Sequence, residues 1–396
     1  MTAVESGPVR TADPVDARVL LERARDIGAE TAGRGAEIEA AGTLPTDLVE
    51  RLRAARLFAM GLPRDLGGVQ APLTTIVEVI AELARADAST AWATLVGNTS
   101  VFLSWLEPDA ARAATAGGRD PIVAGSMAPT GRGEPVGDGF RVNGRWAFVS
   151  GSRHADWYMG GMTVVDQRRS GPPELRTAFF RPADVTVDPT WDVIGLCGTG
   201  SNDVVVSDTV VPARHTAAPH TGPASFDTPL TRLTPYNILM VLFAGVPLGV
   251  ARRALDELTG LAATKRRAGS TERLLDDPAV GDFVIGAEPA LRAARLVVLD
   301  VLHRTEARLG AGAELDPTER AQVAAAGMHA MRVGWEVTLG ASRLAGTGAT
   351  ARDSALQRFL RDLAAARQHI AFGPDLRVRT ARSLLGAPSA PALFGV

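Results

Sequence analysis

The sequence predicts an α+β protein in three successive parts: an N-terminal α-helical domain (residues 1–119), a middle β domain (120–228) and a C-terminal four-helix bundle (229–396). Two changes of texture predict it. Ala/Leu/Arg-rich text with apolar residues at i, i+3, i+4 and i+7 gives way near Asp120 to short runs rich in Val, Phe, Trp and Thr, and helical text returns near Leu233. The third observation is balance: 42 basic residues against 44 acidic, with 46% hydrophobic residues, describe a chain with a large core.

In the first part, RVLLERARDIGAE and TDLVERLRAARLF carry helical spacing. Thr46 and Glu50 bracket a helix start, and GLPRDLGG (Gly61–Gly68) breaks the chain. TTIVEVIAELARADASTAWATLVGN reads as one longer helix followed by another. In the middle part GFRVNGRWAFVSG, DWYMGGMTVV, RTAFFRP and NDVVVSDTVVP read as strands, with Phe140, Val142, Gly144, Trp146 and Phe148 on one face of a strand or of a bulged pair. Four stretches of the last part suit an antiparallel bundle: the first runs from ILMVLF to ATKRR, and the last is DSALQRFLRDLAAARQHIA. Such a bundle exposes apolar faces that another can cover, which predicts a homo-oligomer, dimer or tetramer.

Several function classes are excluded. A net charge of −2 gives no footprint for nucleic acid or an anionic membrane, and no apolar run reaches the length of a bilayer span. The start, MTAVESGPVRTADPVDAR, lacks the apolar stretch of a signal peptide, so a cytoplasmic protein is expected. A lone cysteine, Cys197, excludes an intrachain disulfide and a thiolate metal site. The six histidines lack metal-ligand spacing, so no metal is expected, and His215 and His220 read as exposed residues of a proline-flanked loop. GxGxxG after a strand, GxxxxGK[ST], HExxH and GxSxG are all absent, which argues against a nicotinamide enzyme, kinase or zinc hydrolase.

Three segments combine glycine, hydroxyl and aromatic residues in a β context: VAGSMAPTG (Val123–Gly131), NGRWAFVSGSRHADW (Asn143–Trp157) and WDVIGLCGTGSNDVVVSDTVVP (Trp191–Pro212). Such a surface suits a flat polar heterocycle, but on composition alone the same residues suit a β core with glycine turns better. With LPRDLGG, ELARADASTAWATLVGN, AGVPLGVARRALDE and QRFLRDLAAARQHI in this order, the chain resembles the acyl-CoA dehydrogenase-like superfamily over nearly its whole length. Within it, the chain is similar to the flavin-dependent monooxygenase branch, the oxygenase components of two-component systems.

The dehydrogenases of that superfamily draw a glutamate base from the first or last bundle helix. Here those places fall near Leu239–Met240 and in IAFGPD and hold no glutamate, so acyl-CoA dehydrogenation lacks its base. What the resemblance implies instead is reaction of reduced flavin with O₂ to a C4a-hydroperoxide, which hydroxylates or N-oxygenates a small organic substrate. Reduced FMN, or FAD, would come from a separate flavin reductase, because the chain has no nicotinamide-binding unit. The resemblance places His369 beside the reactive edge of the flavin and makes Ser150 a hydroxyl donor to it. It places Ser126, Phe148, Trp191, Thr199, Gly200 and Ser201 around the ring, and Lys265 and Arg266 of TKRRAG at the phosphate end, on the same or a neighbouring subunit. Substrate is expected near Asn98, Phe102 and Phe243.

Two departures stand out. Asn98 and Thr99 occupy the place where the phenol hydroxylases of the branch carry a histidine, which weakens the case for a phenol and leaves an amine, an amino sugar or a polyketide-like ring. Cys197 stands where relatives usually carry arginine. Alternative readings are a flavin oxidase or dehydrogenase, and a flavin-free binding protein of the same fold. The monooxygenase reading expects Ser150 and His369 on opposite sides of one enclosed slot.

Overall fold

The computed structural model describes residues 15–166, 168, 170–266 and 271–387. The first part folds as α1 (Ala17–Thr31), α2 (Gly35–Ala41), α3 (Thr46–Ala54), α4 (Leu73–Ala86), α5 (Ala88–Gly97) and α6 (Pro108–Thr115). The expected break between two long helices falls at Asp87. Its backbone is extended, and its carboxylate caps α5 by accepting from the Thr90 amide at 2.7 Å and the Thr90 hydroxyl at 2.8 Å. Buried nearly all round, α5 packs against α4, α7, α8, α11 and β1, which makes it the central helix beneath the site.

The middle part forms β1 (Val123–Val136), β2 (Gly139–Val149), β3 (Trp157–Val164), β4 (Glu174–Phe180), β5 (Thr186–Asp188), β6 (Asn202–Pro212) and β7 (Thr216–Ala217). They make one seven-stranded sheet in the order β5-β6-β2-β1-β3-β4-β7, with β1 parallel to β3 and the other neighbours antiparallel. Trp146 fills its interior and donates its indole N–H to Gly161 O at 2.8 Å. A Cβ at Gly131, Gly144 or Gly160 would come within 2.6, 2.5 or 2.4 Å of that ring, so these glycines make room for tryptophan rather than turns.

Phe148 departs from the inward face that alternation gives it. A bulge between Trp146 and Val149 breaks the pairing of β2 with β6, and Phe148 adopts φ +61°, which turns its side chain out to 73% exposure.

The last part comprises α7 (Pro235–Phe243), α8 (Gly245–Thr264), α9 (Pro278–Gly310), α10 (Pro317–Leu344), α11 (Ala355–Ala366) and α12 (Pro374–Leu384). One helix was expected where α7 and α8 stand; the chain breaks at Ala244 because Pro247 has no N–H for the carbonyl of Phe243. The joined segment Pro235–Thr264 has the length and apolar composition of a membrane span, yet 83% of that window is buried in the protein, as in a core helix. The first and last parts share one buried cluster running from Leu20 to Leu376, which strand residues such as Val123, Trp157 and Phe179 join, while a second cluster within the sheet surrounds Trp146.

Candidate active site

Ser150, just beyond β2, is buried. Its Oγ accepts the indole N–H of Trp92 (α5) at 3.0 Å and lies 2.7 Å from Ser201 Oγ, which lies 2.6 Å from Thr199 Oγ1. The direction of this relay follows from its end. The carbonyl of Leu196 can only accept, and Thr199 Oγ1 donates to it at 2.8 Å. Ser201 must then donate to Thr199, and Ser150 to Ser201. The Ser150 proton is therefore used inside the protein, leaving a lone pair on Oγ. The expected hydroxyl donor is arranged as an acceptor.

Leu196 is the hub of this arrangement. It takes the left-handed backbone (φ +56°), and its carbonyl also accepts from the Trp191 indole N–H at 3.1 Å and the Thr199 amide at 3.1 Å. Its amide donates to Asp362 Oδ1 of α11 at 2.7 Å.

His369 does not lie on the last bundle helix as expected, because α11 ends at Ala366. It caps a short turn (Ile370–Phe372), where its Nδ1 accepts from the Ala371 amide at 3.2 Å. With Nδ1 an acceptor, the neutral ring carries its proton on Nε2. Packed protein atoms desolvate the ring and push its pKa down to about 4, although part of the residue stays accessible. At neutral pH it is a fixed N–H donor rather than a proton shuttle.

The ring centroid of His369 lies 4.6 Å from that of Phe243 and 5.8 Å from that of Trp92, which stacks on Phe243 at 4.9 Å; Phe372 closes the group at 5.9 Å from Phe243. Trp92 thus touches both Ser150 and His369. The indole reaches from one group to the other, where an enclosed slot between them was expected. What opens outward instead is apolar: Phe148, whose ring meets Trp191 edge-on at 6.2 Å, Ile194, which is 68% exposed, and Ile370, which is 62% exposed. These three flank Ser150, Leu196 and His369 in the chain. Two depressions on the surface lie elsewhere, one lined by Arg85, Arg253 and Asp256 and one by Arg56, Arg112 and Asp120.

The remaining sequence candidates divide. Thr199, Gly200 and Ser201 sit in the relay, Gly200 with φ +54°. Ser126 lies at the irregularity of β1, where its Oγ accepts from the Ala128 amide at 3.2 Å. Asn98 is fully buried with its amide engaged by backbone: Oδ1 accepts from Gly61 N at 3.1 Å, and Nδ2 donates to Leu57 O at 2.7 Å and Thr94 O at 2.9 Å. Phe102 is fully buried against Trp105 at 5.7 Å. Lys265 Nζ donates to Ala345 O at the end of α10, and Arg266 bridges to Arg273; Arg267 lies outside the described residues. The 20-residue α8 separates this pair from Phe243 by about 30 Å. Cys197 Sγ lies 3.1 Å from Val193 O, and burial pushes its thiol pKa up. His215 and His220 are half-buried rather than exposed, and among the described residues no three His, Cys, Asp or Glu side chains group as metal ligands. Sequence reasoning missed Trp92, Leu196 and Asp362.

A three-part α–β–α chain with aromatic and hydroxyl groups meeting where the parts join is the acyl-CoA dehydrogenase architecture. Family models agree: the acyl-CoA dehydrogenase N-terminal domain matches residues 15–107 and the C-terminal domain matches residues 241–374. Indole-3-acetate monooxygenase of Pseudomonas putida is 29% identical over 97% of this chain and 94% of its own length. The flavin-dependent monooxygenase oxygenase subunit HsaA of Rhodococcus jostii is 30% identical over 86% of this chain and 91% of its own. The crystal structure of 3-HSA hydroxylase from Rhodococcus sp. RHA1 superposes with a TM-score of 0.89 at 25% identity, covering 96% of this chain and 100% of that one. The chain belongs to the flavin-dependent monooxygenases of the acyl-CoA dehydrogenase fold, as an oxygenase component. As such it is an oxidoreductase that uses reduced flavin from a separate reductase and acts on a small molecule.

The residues present fit a flavin ring. Phe148 and Trp191 offer aromatic surface, and the lone pair left on Ser150 Oγ could accept from an N–H, which a reduced ring carries at its edge and an oxidised ring lacks there.

Proposed function

We propose that this chain oxygenates an uncharged, non-phenolic fused aromatic ring, held beside His369. The observation that carries the reading is the position of Trp92, which hydrogen-bonds Ser150 and packs on Phe243 and His369. It ties the two residues singled out for catalysis to one aromatic wall. That wall of Trp92, Phe243 and Phe372 has no charged member, which suits a flat apolar ring and disfavours an amine.

When bound, reduced flavin supplies the chemistry with O₂. The chain's own work is binding and orientation. Ser150 Oγ would accept from an N–H of the reduced ring, a contact that would favour the reduced form over the oxidised one. Phe148 and Trp191 would hold the ring. His369 Nε2–H donates to an oxygen or nitrogen of the substrate or of the group being transferred. Trp92, Phe243 and Phe372 exclude water, which suppresses loss of the oxidising equivalent as H₂O₂.

The exposed Phe148, Ile194 and Ile370 suit closure by a second copy of the chain, as do Ile285, Leu296 and Val297 on the outer face of α9. Lys265 and Arg266, remote from this chain's ring site, would then serve the phosphate of a neighbour's flavin. An oligomer fits these features.

The test supplies reduced FMN, isotopically heavy O₂ and a panel of indoles, fused hydrocarbons, phenols and amines. One heavy oxygen atom in a fused non-phenolic product is expected. Release of H₂O₂ alone with every ring offered, or bleaching of oxidised flavin by substrate without O₂, contradicts the proposal; the second result favours an oxidase or dehydrogenase.

A further inference from the structure

Leu196 is engaged through both of its backbone groups: its carbonyl terminates the hydroxyl relay and holds Trp191, and its amide is held by Asp362. Asp362 is buried on α11, and its second oxygen, Oδ2, is buried without a hydrogen-bond partner. No part of the mechanism above uses it. Gly195, next to Leu196, lies so close to α11 that a Cβ there would come within 2.1 Å of Arg361 O, and Arg361 in turn donates to Ile194 O. The segment 194–196 is thus pressed on the helix that leads, seven residues after Asp362, to His369.

We propose that Asp362 is a positioning residue that sets the polarity of the Ser150 hydroxyl, by holding Leu196 in its left-handed conformation so that its carbonyl faces Thr199 and Trp191. The left-handed backbone of Leu196 costs free energy unless something holds it, and the Asp362 carboxyl is the side chain that does so through its amide. Released, Leu196 can leave this conformation and turn its carbonyl away. Thr199 then loses its obligatory acceptor, the relay can reverse, and Ser150 no longer presents a lone pair in a fixed direction.

The groups facing Asp362 are Asp87 at the start of α5, Arg358 and Arg361 on its own helix, and Cys197 of the loop, with Glu39 of α2 paired to Arg361 at 2.7 Å. Burial first and Asp87 second push its pKa up to about 7, and both the protonated and the ionised carboxyl keep an oxygen for the Leu196 amide. The position therefore requires an acceptor atom rather than a charge.

This inference rests on the flavin reading, and the test separates the two. Wild type, Asp362→Asn, Asp362→Ala and Asp362→Ser are titrated anaerobically with oxidised and with reduced FMN, and hydrogen exchange of the Leu196 amide is followed in parallel. Asn keeps the acceptor, and Ser, a polar stand-in should Ala fail to fold, is too short to reach. Asn is expected to keep the preference for reduced FMN within about twofold, while Ala and Ser lose roughly tenfold of it and exchange Leu196 at least tenfold faster. A preference unchanged in Ala or Ser, or lost equally in Asn, overturns the role of Asp362 while leaving the flavin reading intact. Wild-type protein that binds no reduced FMN overturns both.

Discussion

Trp92 donates its indole N–H to Ser150 Oγ at 3.0 Å, and the same ring packs edge-on to His369 with centroids 5.8 Å apart. One buried side chain on the central helix thereby sets the distance between the hydroxyl and the imidazole, and its replacement is the sharpest structural probe of the site.

Trp92→Phe keeps a ring but removes the donor and some volume. The expected cost is about 1–3 kcal/mol of stability in denaturant unfolding, from a lost hydrogen bond and a small cavity. Faster H₂O₂ release from the reduced, flavin-loaded protein on mixing with O₂ should accompany it. Unchanged stability and unchanged peroxide release would show that the indole is inert packing.

His369→Ala is expected to leave flavin affinity within about twofold of wild type while raising the fraction of O₂ released as H₂O₂. Because the ring already sits far below its ordinary value of 6.5, at about 4, it stays neutral across the working range. The wild-type rate of peroxide release should therefore show no His369-dependent inflection between about pH 5 and 8. An inflection near the ordinary histidine value, absent from the Ala variant, would contradict the fixed-donor role.

Asp362 makes the fold pH-sensitive in a definite sense. Its folded-state pKa of about 7 lies above the ordinary 3.8, so between those values the folded protein holds a proton that the unfolded chain has lost. Its contribution to stability is therefore fully present below the lower value and declines as pH rises through the upper one. Asp362→Asn removes this decline. Measured by urea unfolding, the variant should gain on wild type as pH rises from about 4 to 8, by an amount on the order of 4 kcal/mol at most. Parallel stability curves would contradict the burial of an unpaired carboxyl.

Phe148→Gly should stabilise the free protein by about 1 kcal/mol, since φ +61° suits glycine and an exposed ring has little burial to lose. Flavin affinity should fall at the same time. A gain in stability with unchanged affinity would remove Phe148 from the ring site.

The order of helices, strands and helices was legible because periods of 3.6 and 2 survive in RVLLERARDIGAE and NDVVVSDTVVP. The site was legible only in part. Ser150 and His369 carry polar atoms within recognisable segments. Phe148 was misplaced because a left-handed residue at a bulge leaves no mark on an alternating pattern. Trp92 stayed hidden because α5 is buried all round, so no face of it stands out. Asp362 was hidden for the opposite reason: an acid beside Arg361 in FLRDL reads as a solvated helix face, and it is the packing of the 195–197 loop and the start of α5 on this helix that buries it. Asn98 suggested a substrate contact, but its amide is engaged by the backbone of Leu57, Gly61 and Thr94.

The central claim is that Ser150 offers its lone pair, rather than its proton, to a reduced ring. Anaerobic titration of wild type and Ser150→Ala with both redox forms of FMN measures this directly. Wild type should hold the reduced form at least about tenfold more tightly than the oxidised form, and the variant should lose most of that difference while binding oxidised FMN as before. Equal affinity of wild type for the two forms, or a variant that keeps the full preference, would contradict it.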